Sequence, residues 1–398
     1  MKKYLYILFI LLLVPISFIK AEDISINSSK AIVYNLNDDN IIYEKNSEEE
    51  TQVASLTKIM TCLVALENIK NLDDKVIVKY SDLTGLTGYA KAGFKVGDEV
   101  SYKDLLYALM LPSGADAAQI LANNIAGSSE EFVNLMNKKV SDLKLKHTKF
   151  SNPIGMDDEN YSTAYDMAII LKEAIKNETF KEIFKTNEYI TSNDLKLEKT
   201  TYKTALYYDL DVSSITGSKT GYTDIADYCL ATTSSINEVN YLAITLNAKK
   251  VPNHIKDTLE LYKYFSSNYS YKNILNKNQK ITTLKVKYAK IKTYDITSTK
   301  TIKKYLKNDT DISKIKYKYK GVKTLNRKIK KGDYLGKVTI SYNGNILDTY
   351  KVYLNDDIKY INFYLIGTIL IFIILIIILI IKKSKRKRRR KKRKISRR

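Results

Sequence analysis

Residues 361–381 are twenty-one consecutive residues without a charge, most of them Ile or Leu. At about 1.5 Å per residue, a helix of that length spans the roughly 30 Å hydrocarbon core of a bilayer. A helix buried in a soluble domain is rarely so uniformly apolar, because one stripe usually faces solvent. The next seventeen residues, 382–398, hold 14 basic side chains and no acid. Positive charge beside a span marks the cytoplasmic side. The chain is therefore expected to have a transmembrane helix at 361–381 and a basic cytoplasmic tail at 382–398. The body then lies outside the membrane, tethered by its C-terminal end. The N-terminus supports this reading. Met1-Lys2-Lys3, an uncharged apolar run over 4–19 and Lys20-Ala21 have the form of a secretory signal at 1–21, cleaved after Ala21. Ile19 is large for a cleavage site, so an uncleaved anchor is the alternative.

Locating the charge disposes of one function class. The formal net charge is +23, but the tail and three early lysines supply 17 of the 66 basic residues. The remaining 49 face 43 acids, an ordinary balance. A tail beside a span is explained by anionic lipid, so no nucleic-acid partner is expected. Two histidines (His147, His254) and two cysteines (Cys62, Cys229) leave little for a His/Cys zinc site or a Ser-His-Asp triad. No metal or organic cofactor is expected. Hydrolytic chemistry would most easily use a serine with a lysine base, or carboxylates. Cys62 falls in an expected helix and Cys229 in an expected strand, and both read as small buried apolar residues rather than a disulfide.

Between the two membrane segments the pattern is mixed. Apolar runs at 31–34 and 41–43 flank a polar turn and read as a hairpin. Leu56, Ile59, Met60, Leu63, Val64 and Leu66 recur at helical spacing over 55–69. A mainly helical stretch covers 102–184, interrupted at Pro112-Ser113-Gly114 and at Asn152-Pro153-Ile154-Gly155. Two strand-like runs over 228–246 flank the polar 234–240, and Pro252 opens a helix to about 265. Strands at both ends with helices between suggest one α/β domain over 24–268, its sheet joining the two ends. After residue 270 the pattern becomes period two. Asn343-Gly344 between apolar runs is a strong hairpin signal, and 275–355 reads as a small all-β domain, possessing the proportions of a spacer above the membrane.

Three short motifs stand out. Ser55-Leu56-Thr57-Lys58 begins the first amphipathic helix, so Ser55 and Lys58 share a face near a helix N-terminus, where backbone N–H groups suit a developing oxyanion. A lysine drawn into a partly dry pocket loses pKa and can act as a base toward serine. Alone, the spacing is as well explained by a capping serine and a solvated lysine. Ser113 in Pro112-Ser113-Gly114-Ala115 is alone an ordinary turn residue. Lys219-Thr220-Gly221, followed by Tyr222, lies ahead of a strand and could offer an ammonium and a hydroxyl to a carboxylate. The glycine would admit a ligand to the backbone. Together the three occur in a fixed order, 58 and 106 residues apart. That set is the signature of β-lactamases and penicillin-binding proteins.

The chain resembles the low-molecular-weight penicillin-binding proteins that act as D-alanyl-D-alanine carboxypeptidases, over roughly 24–355. The resemblance extends to Ala54 through Thr61, to Val96 through Gly114, to Asn152 through Asp158 and to Tyr161 through Met167. It implies a β-lactamase/transpeptidase-like α/β domain with an antiparallel sheet. It implies that Ser55 is acylated, Lys58 is its base and Ser113 relays a proton to the leaving D-alanine. Lys219 and Thr220 would hold the substrate carboxylate, Gly221 would admit the substrate to the backbone, and the N–H groups of Ser55 and Tyr222 would form the oxyanion hole. The implied partners are peptidoglycan stem peptides, with β-lactam antibiotics as inhibitors. Two positions depart from the family. Ala115 stands where an asparagine is usual, and Asp227 where a small residue is common. The alternatives are a catalytically weakened penicillin- or peptidoglycan-binding protein and a β-lactamase. For the latter, Glu173 and Asn177 are a glutamate and an asparagine four apart, but Glu173 lies 60 residues past Ser113 in a helical pattern and the pair reads as a solvated helix face.

Overall fold

The computed structural model describes residues 24–156 and 159–395; the expected signal segment lies outside them. It divides into two units, 1–268 and 269–398.

The first unit is built on a five-stranded antiparallel sheet that draws strands from both ends of its sequence. Strand β1 (Lys30–Asn35) and β2 (Asn40–Lys45) form the expected hairpin. Seven helices follow: α1 (Thr57–Asn68), α2 (Tyr102–Met110), α3 (Ala115–Ala126), α4 (Ser129–Asp142), α5 (Ala164–Ala174), α6 (Glu178–Lys185) and α7 (Thr200–Tyr207). The chain then returns through β3 (Ile215–Thr223), β4 (Asp227–Ile236), β5 (Val239–Ala248) and α8 (Asn253–Asn268). The sheet order is β2-β1-β5-β4-β3. Asp257 on α8 closes the loop between the chain's ends. Its carboxylate accepts from the backbone N–H and the hydroxyl of Ser28, both at 2.6 Å.

The helix starts are written locally. Ser101 and Asp104 form a reciprocal capping box on α2, and Ser128, Thr163 and Asn177 cap α4, α5 and α6. Each such cap is worth about 1 kcal/mol. No side chain caps α1, α3 or α7, and most residues of α1 are buried. Ser55 itself lies in a 3-10 turn, Ala54–Leu56, just ahead of α1. Two further expectations need correction. The segment 217–223 does not precede a strand but is one, held by pairing to β4 despite its glycines. The helical stretch ends its middle part at Asp142, and the chain between there and Ala164 is mostly irregular.

The second unit has its own core, in which Leu284, Ile296, Leu325, Leu335, Val338 and Ile340 are buried. Its strands are β6 (Tyr269–Leu275), β7 (Lys280–Val286), β8 (Thr293–Thr297), β9 (Ile302–Lys307), β10 (Lys316–Gly321), β11 (Thr324–Leu325), β12 (Tyr334–Tyr342) and β13 (Asn345–Tyr353). Pairing of β6 with β9 brings 269–274, absent from the expected domain, into this unit. The Asn343-Gly344 turn joins β12 to β13, with both residues at positive φ as such a turn demands. Helix α9 (Phe363–Ile395) follows. Among the described residues it contains the one helix long and apolar enough to cross a membrane.

Candidate active site

Segments far apart in sequence meet at a cleft of about 590 Å³ in the first unit, lined among others by Ser55, Lys58, Ser113, Thr220, Gly221 and Tyr222. All seven residues singled out from sequence therefore sit in or directly beside one site, with Lys219 behind its wall.

The nucleophile candidate is held by an unusual backbone. Ala54 has φ of 47°, a left-handed conformation that a residue with a Cβ adopts only at a cost of about 1–3 kcal/mol. The loop opposite packs directly against Ala54. Gly155, itself at φ of 84°, packs so tightly that a Cβ there would lie 2.1 Å from the Ala54 carbonyl oxygen and 2.7 Å from Thr57 Oγ1. The Asn152 side-chain oxygen accepts from the N–H groups of Ile154 (3.0 Å) and Gly155 (2.7 Å), folding the loop into a tight turn. Thr61 on α1 donates to the Pro153 carbonyl at 2.7 Å. That turn aims the Ile154 carbonyl at Lys58.

Lys58 Nζ lies 3.0 Å from Ser55 Oγ and 2.8 Å from the Ile154 carbonyl oxygen. The side chain is 1% exposed. Burial disfavours its charged form and brings the ammonium down to about 7, with the Asp116 carboxylate acting in the opposite direction. A lysine in that range exchanges a proton with serine near neutral pH, as one near 10.5 would not.

Ser113 has φ of 65° in the loop between α2 and α3, and its Oγ accepts from Lys219 Nζ at 2.8 Å. Lys219 also donates to the Thr220 carbonyl at 2.8 Å. It is held well below the ordinary lysine range, first by burial and then by the charges of Lys58 and Lys199. Gly221 is the close-approach glycine. A Cβ there would stand 3.1 Å from the Ser55 backbone nitrogen, so β3 runs directly past the start of the nucleophile turn. Strand β3 is also an edge of the sheet, leaving one side of its backbone free for an extended ligand.

Several members of this site carry no local signal in the sequence. Asp116 is 1% exposed and accepts from the N–H groups of Ala92, Gly93 and Phe94 (2.9, 2.9 and 3.3 Å), anchoring the loop that brings Tyr89 and Ala90 to the cleft. Lys199 is buried, donates to the Phe184 carbonyl and is lowered to about 7 by burial. His254, at the start of α8, lines the cleft with its Nδ1 buried and without a hydrogen-bond partner. Its ring stacks on Tyr228 at 5.2 Å, and Tyr228 on Tyr222 at 4.4 Å. Burial lowers His254 to about 4, opposed by Asp257, so it is neutral at pH 7. Placement of His254 among core residues would be one reading of its sequence position; its contact with the cleft is supplied by the fold.

The departures and the cysteines are also accounted for. Ala115 is buried in the wall of the cleft, and its N–H donates to the Ala90 carbonyl at 2.8 Å. Asp227 adopts φ of 51° at the β3–β4 turn and accepts from Lys249 at 2.5 Å; Asp tolerates that conformation better than most residues. Cys62 and Cys229 are free and buried. Glu173 lies near the end of α5, paired with Lys176 at 2.7 Å, and Asn177 caps α6. Among the described residues no group of three or more His, Cys, Asp or Glu side chains could hold a metal ion.

Comparison with known proteins adds to this geometry. Residues 17–250 match the D-alanyl-D-alanine carboxypeptidase family model, and 269–360 match that of the penicillin-binding protein 5 C-terminal domain. The chain is 31% identical to D-alanyl-D-alanine carboxypeptidase DacF of Bacillus subtilis, over 85% of this chain and 88% of the relative. It is 32% identical to a D-alanyl-D-alanine carboxypeptidase of Streptomyces, over 56% of this chain and 81% of that one. Among solved structures, penicillin-binding protein 5 of Haemophilus influenzae shares the fold over 84% of this chain and 98% of its own (TM-score 0.65, 24% identity). The Streptomyces K15 DD-transpeptidase matches over 60% and 97% (TM-score 0.55, 31% identity).

Proposed function

We propose that this chain, which belongs to the D-alanyl-D-alanine carboxypeptidase family, removes the terminal D-alanine from peptidoglycan stem pentapeptides through an acyl-enzyme on Ser55. The observation that carries the reading is the buried Lys58 ammonium, lowered to about 7 and 3.0 Å from the Ser55 hydroxyl. Neutral Lys58 takes the Ser55 proton as Oγ attacks the carbonyl of the penultimate D-alanine. The oxyanion meets the N–H groups of Ser55 and Tyr222. Ser113 passes its hydroxyl proton to the departing amine and takes up the one that Lys58 received from Ser55, the C–N bond breaks, D-alanine leaves and Lys58 is neutral again. Water, deprotonated by Lys58, then hydrolyses the ester. Lys219 and Thr220 hold the substrate's terminal carboxylate. Lys58, Lys199 and Lys219 are buried near one another, and of the three it is Lys58 that Asp116 acts on, so an arriving carboxylate offsets their desolvation. That requirement favours cleavage at a free C-terminus.

β-Lactams are read as substrate mimics that stop at the ester. The helix α9 is read as the anchor, with the basic tail in the cytoplasm and both units outside. Residues 24–268 are assigned to catalysis and 275–355, extended back to 269, to a spacer that sets the site's height above the membrane. Incubation with benzylpenicillin and peptide mass spectrometry tests the nucleophile: the adduct is expected on the peptide carrying Ser55. An adduct on another residue would overturn the assignment.

A further inference from the structure

We infer that the exposed face of the β10-β12-β13 sheet docks on the anionic lipid headgroups of the membrane that α9 spans, an inference that rests on reading α9 as the anchor. In this sheet one face is core. Tyr317 and Tyr319 of β10, Val338 and Ile340 of β12 and Val352 of β13 turn inward. The period-two alternation places Lys316, Lys318 and Lys320 on the other face, with Lys337 and Lys351. Register makes this more than a composition bias. Lys320 stands directly opposite Lys337, and Lys337 directly opposite Lys351, forming a row of three like charges across three strands. Direct cross-strand like charges destabilise a sheet. None of the five ammonium groups has a hydrogen bond or ion pair among the described residues. Asp348, the acid of β13, is instead taken up by Lys304 at 3.8 Å.

Protection of sheet edges does not explain the row. Edge lysines on β10 and β13 would serve that purpose, but Lys337 is on the central strand. Between the lysines lie Thr339, Ser341 and Thr349, hydroxyl side chains that suit phosphate oxygens. At the end of the face nearest the anchor in sequence, Tyr334 and Tyr353 are exposed and in ring contact at 5.7 Å. Tyrosine beside lysine is the composition of a bilayer interface. Tyr353 is ten residues from Phe363, the first residue of α9, and ten residues reach at most about 35 Å. The surface facing this basic plane is therefore a sheet of phosphodiester charge.

The test uses the full chain reconstituted into nanodiscs of phosphatidylcholine alone or of an equal mixture with phosphatidylglycerol. Each lysine is labelled with N-acetoxysuccinimide and its rate read by peptide mass spectrometry, with the exposed Lys70 and Lys95 of the first unit as references. Lys320, Lys337 and Lys351 are expected to label about fivefold more slowly in the anionic discs, with the difference abolished at about 1 M salt, where the Debye length is about 3 Å. Equal rates in both discs, with the chain incorporated, would overturn the docking face and leave the anchor intact. A chain that does not enter discs would overturn the anchor reading and the docking face with it. Equal protection by soluble inorganic polyphosphate in neutral discs would assign the face to a free phosphate polymer and overturn the lipid assignment.

Discussion

At the scale of single residues, the site is a problem in placing positive charge. Lys58 functions as a base only because burial outweighs Asp116 and brings it to about 7. The neutral fraction of Lys58 rises with pH up to that value and saturates above it. The acylation rate by a neutral, uncharged-ring β-lactam ester is therefore expected to climb about tenfold per pH unit below 7 and to level off above it. Stopped-flow or quenched-flow measurement of acylation checks this; a profile still rising tenfold per unit at pH 9 would place the base elsewhere. Ala115 is the second test at this scale. Ala115 is buried in the wall of the cleft, so Ala115→Asn would place an amide at that wall. One hydrogen bond to a charged partner is worth about 1.5–3 kcal/mol, and kcat/KM for D-alanine release is expected to rise at least about tenfold. An unchanged kcat/KM would mean that this wall does not contact the substrate.

At the scale of elements, the 3-10 turn, α1 and the loop after α4 act as one latch. Ala54 and Gly155 both have positive φ, and Gly155 packs on the Ala54 carbonyl with no space for a Cβ. Gly155→Ala is expected to cost about 3 kcal/mol through the clash and the positive φ together, and to slow acylation because Ala54 precedes the nucleophile. Gly127→Ala is the control. Its φ of 86° is close to the 84° of Gly155, but it has open space around it, so about 1 kcal/mol is expected there. Chemical denaturation of both variants measures the difference, and equal losses would show that the latch is not tightly packed. This scale also separates what is legible in sequence from what is not. The Ser55–Lys58 relation is local, fixed by helical spacing, and is readable directly. Lys219 and Ser113 are 106 residues apart, so their 2.8 Å contact is visible only through the order of motifs. The strand 215–223 is hidden because its glycines and lysine lack strand propensity, and pairing with β4 supplies what composition does not. Strand β6 is missed because it follows α8 with no turn residue between them.

At the scale of the whole molecule, two units with separate cores stand between a sequence start with the form of a secretory signal and a helix fit to cross a membrane. The membrane segments and the change to period two near residue 270 are strong bulk signals, which is why the architecture can be read without alignment. Lys199 and His254 belong to the opposite case. Nothing beside either residue marks it; only the assembled fold buries Lys199 near Lys219 and turns an unpartnered His254 nitrogen inside the cleft wall. The central claim is that these parts together form a serine D-alanyl-D-alanine carboxypeptidase. The most direct measurement incubates the full chain and its Ser55→Ala variant with a pentapeptide ending in D-Ala-D-Ala and follows product mass. Loss of one alanine with the unsubstituted chain alone is the predicted result. Loss with neither protein, or equal loss with both, would contradict it.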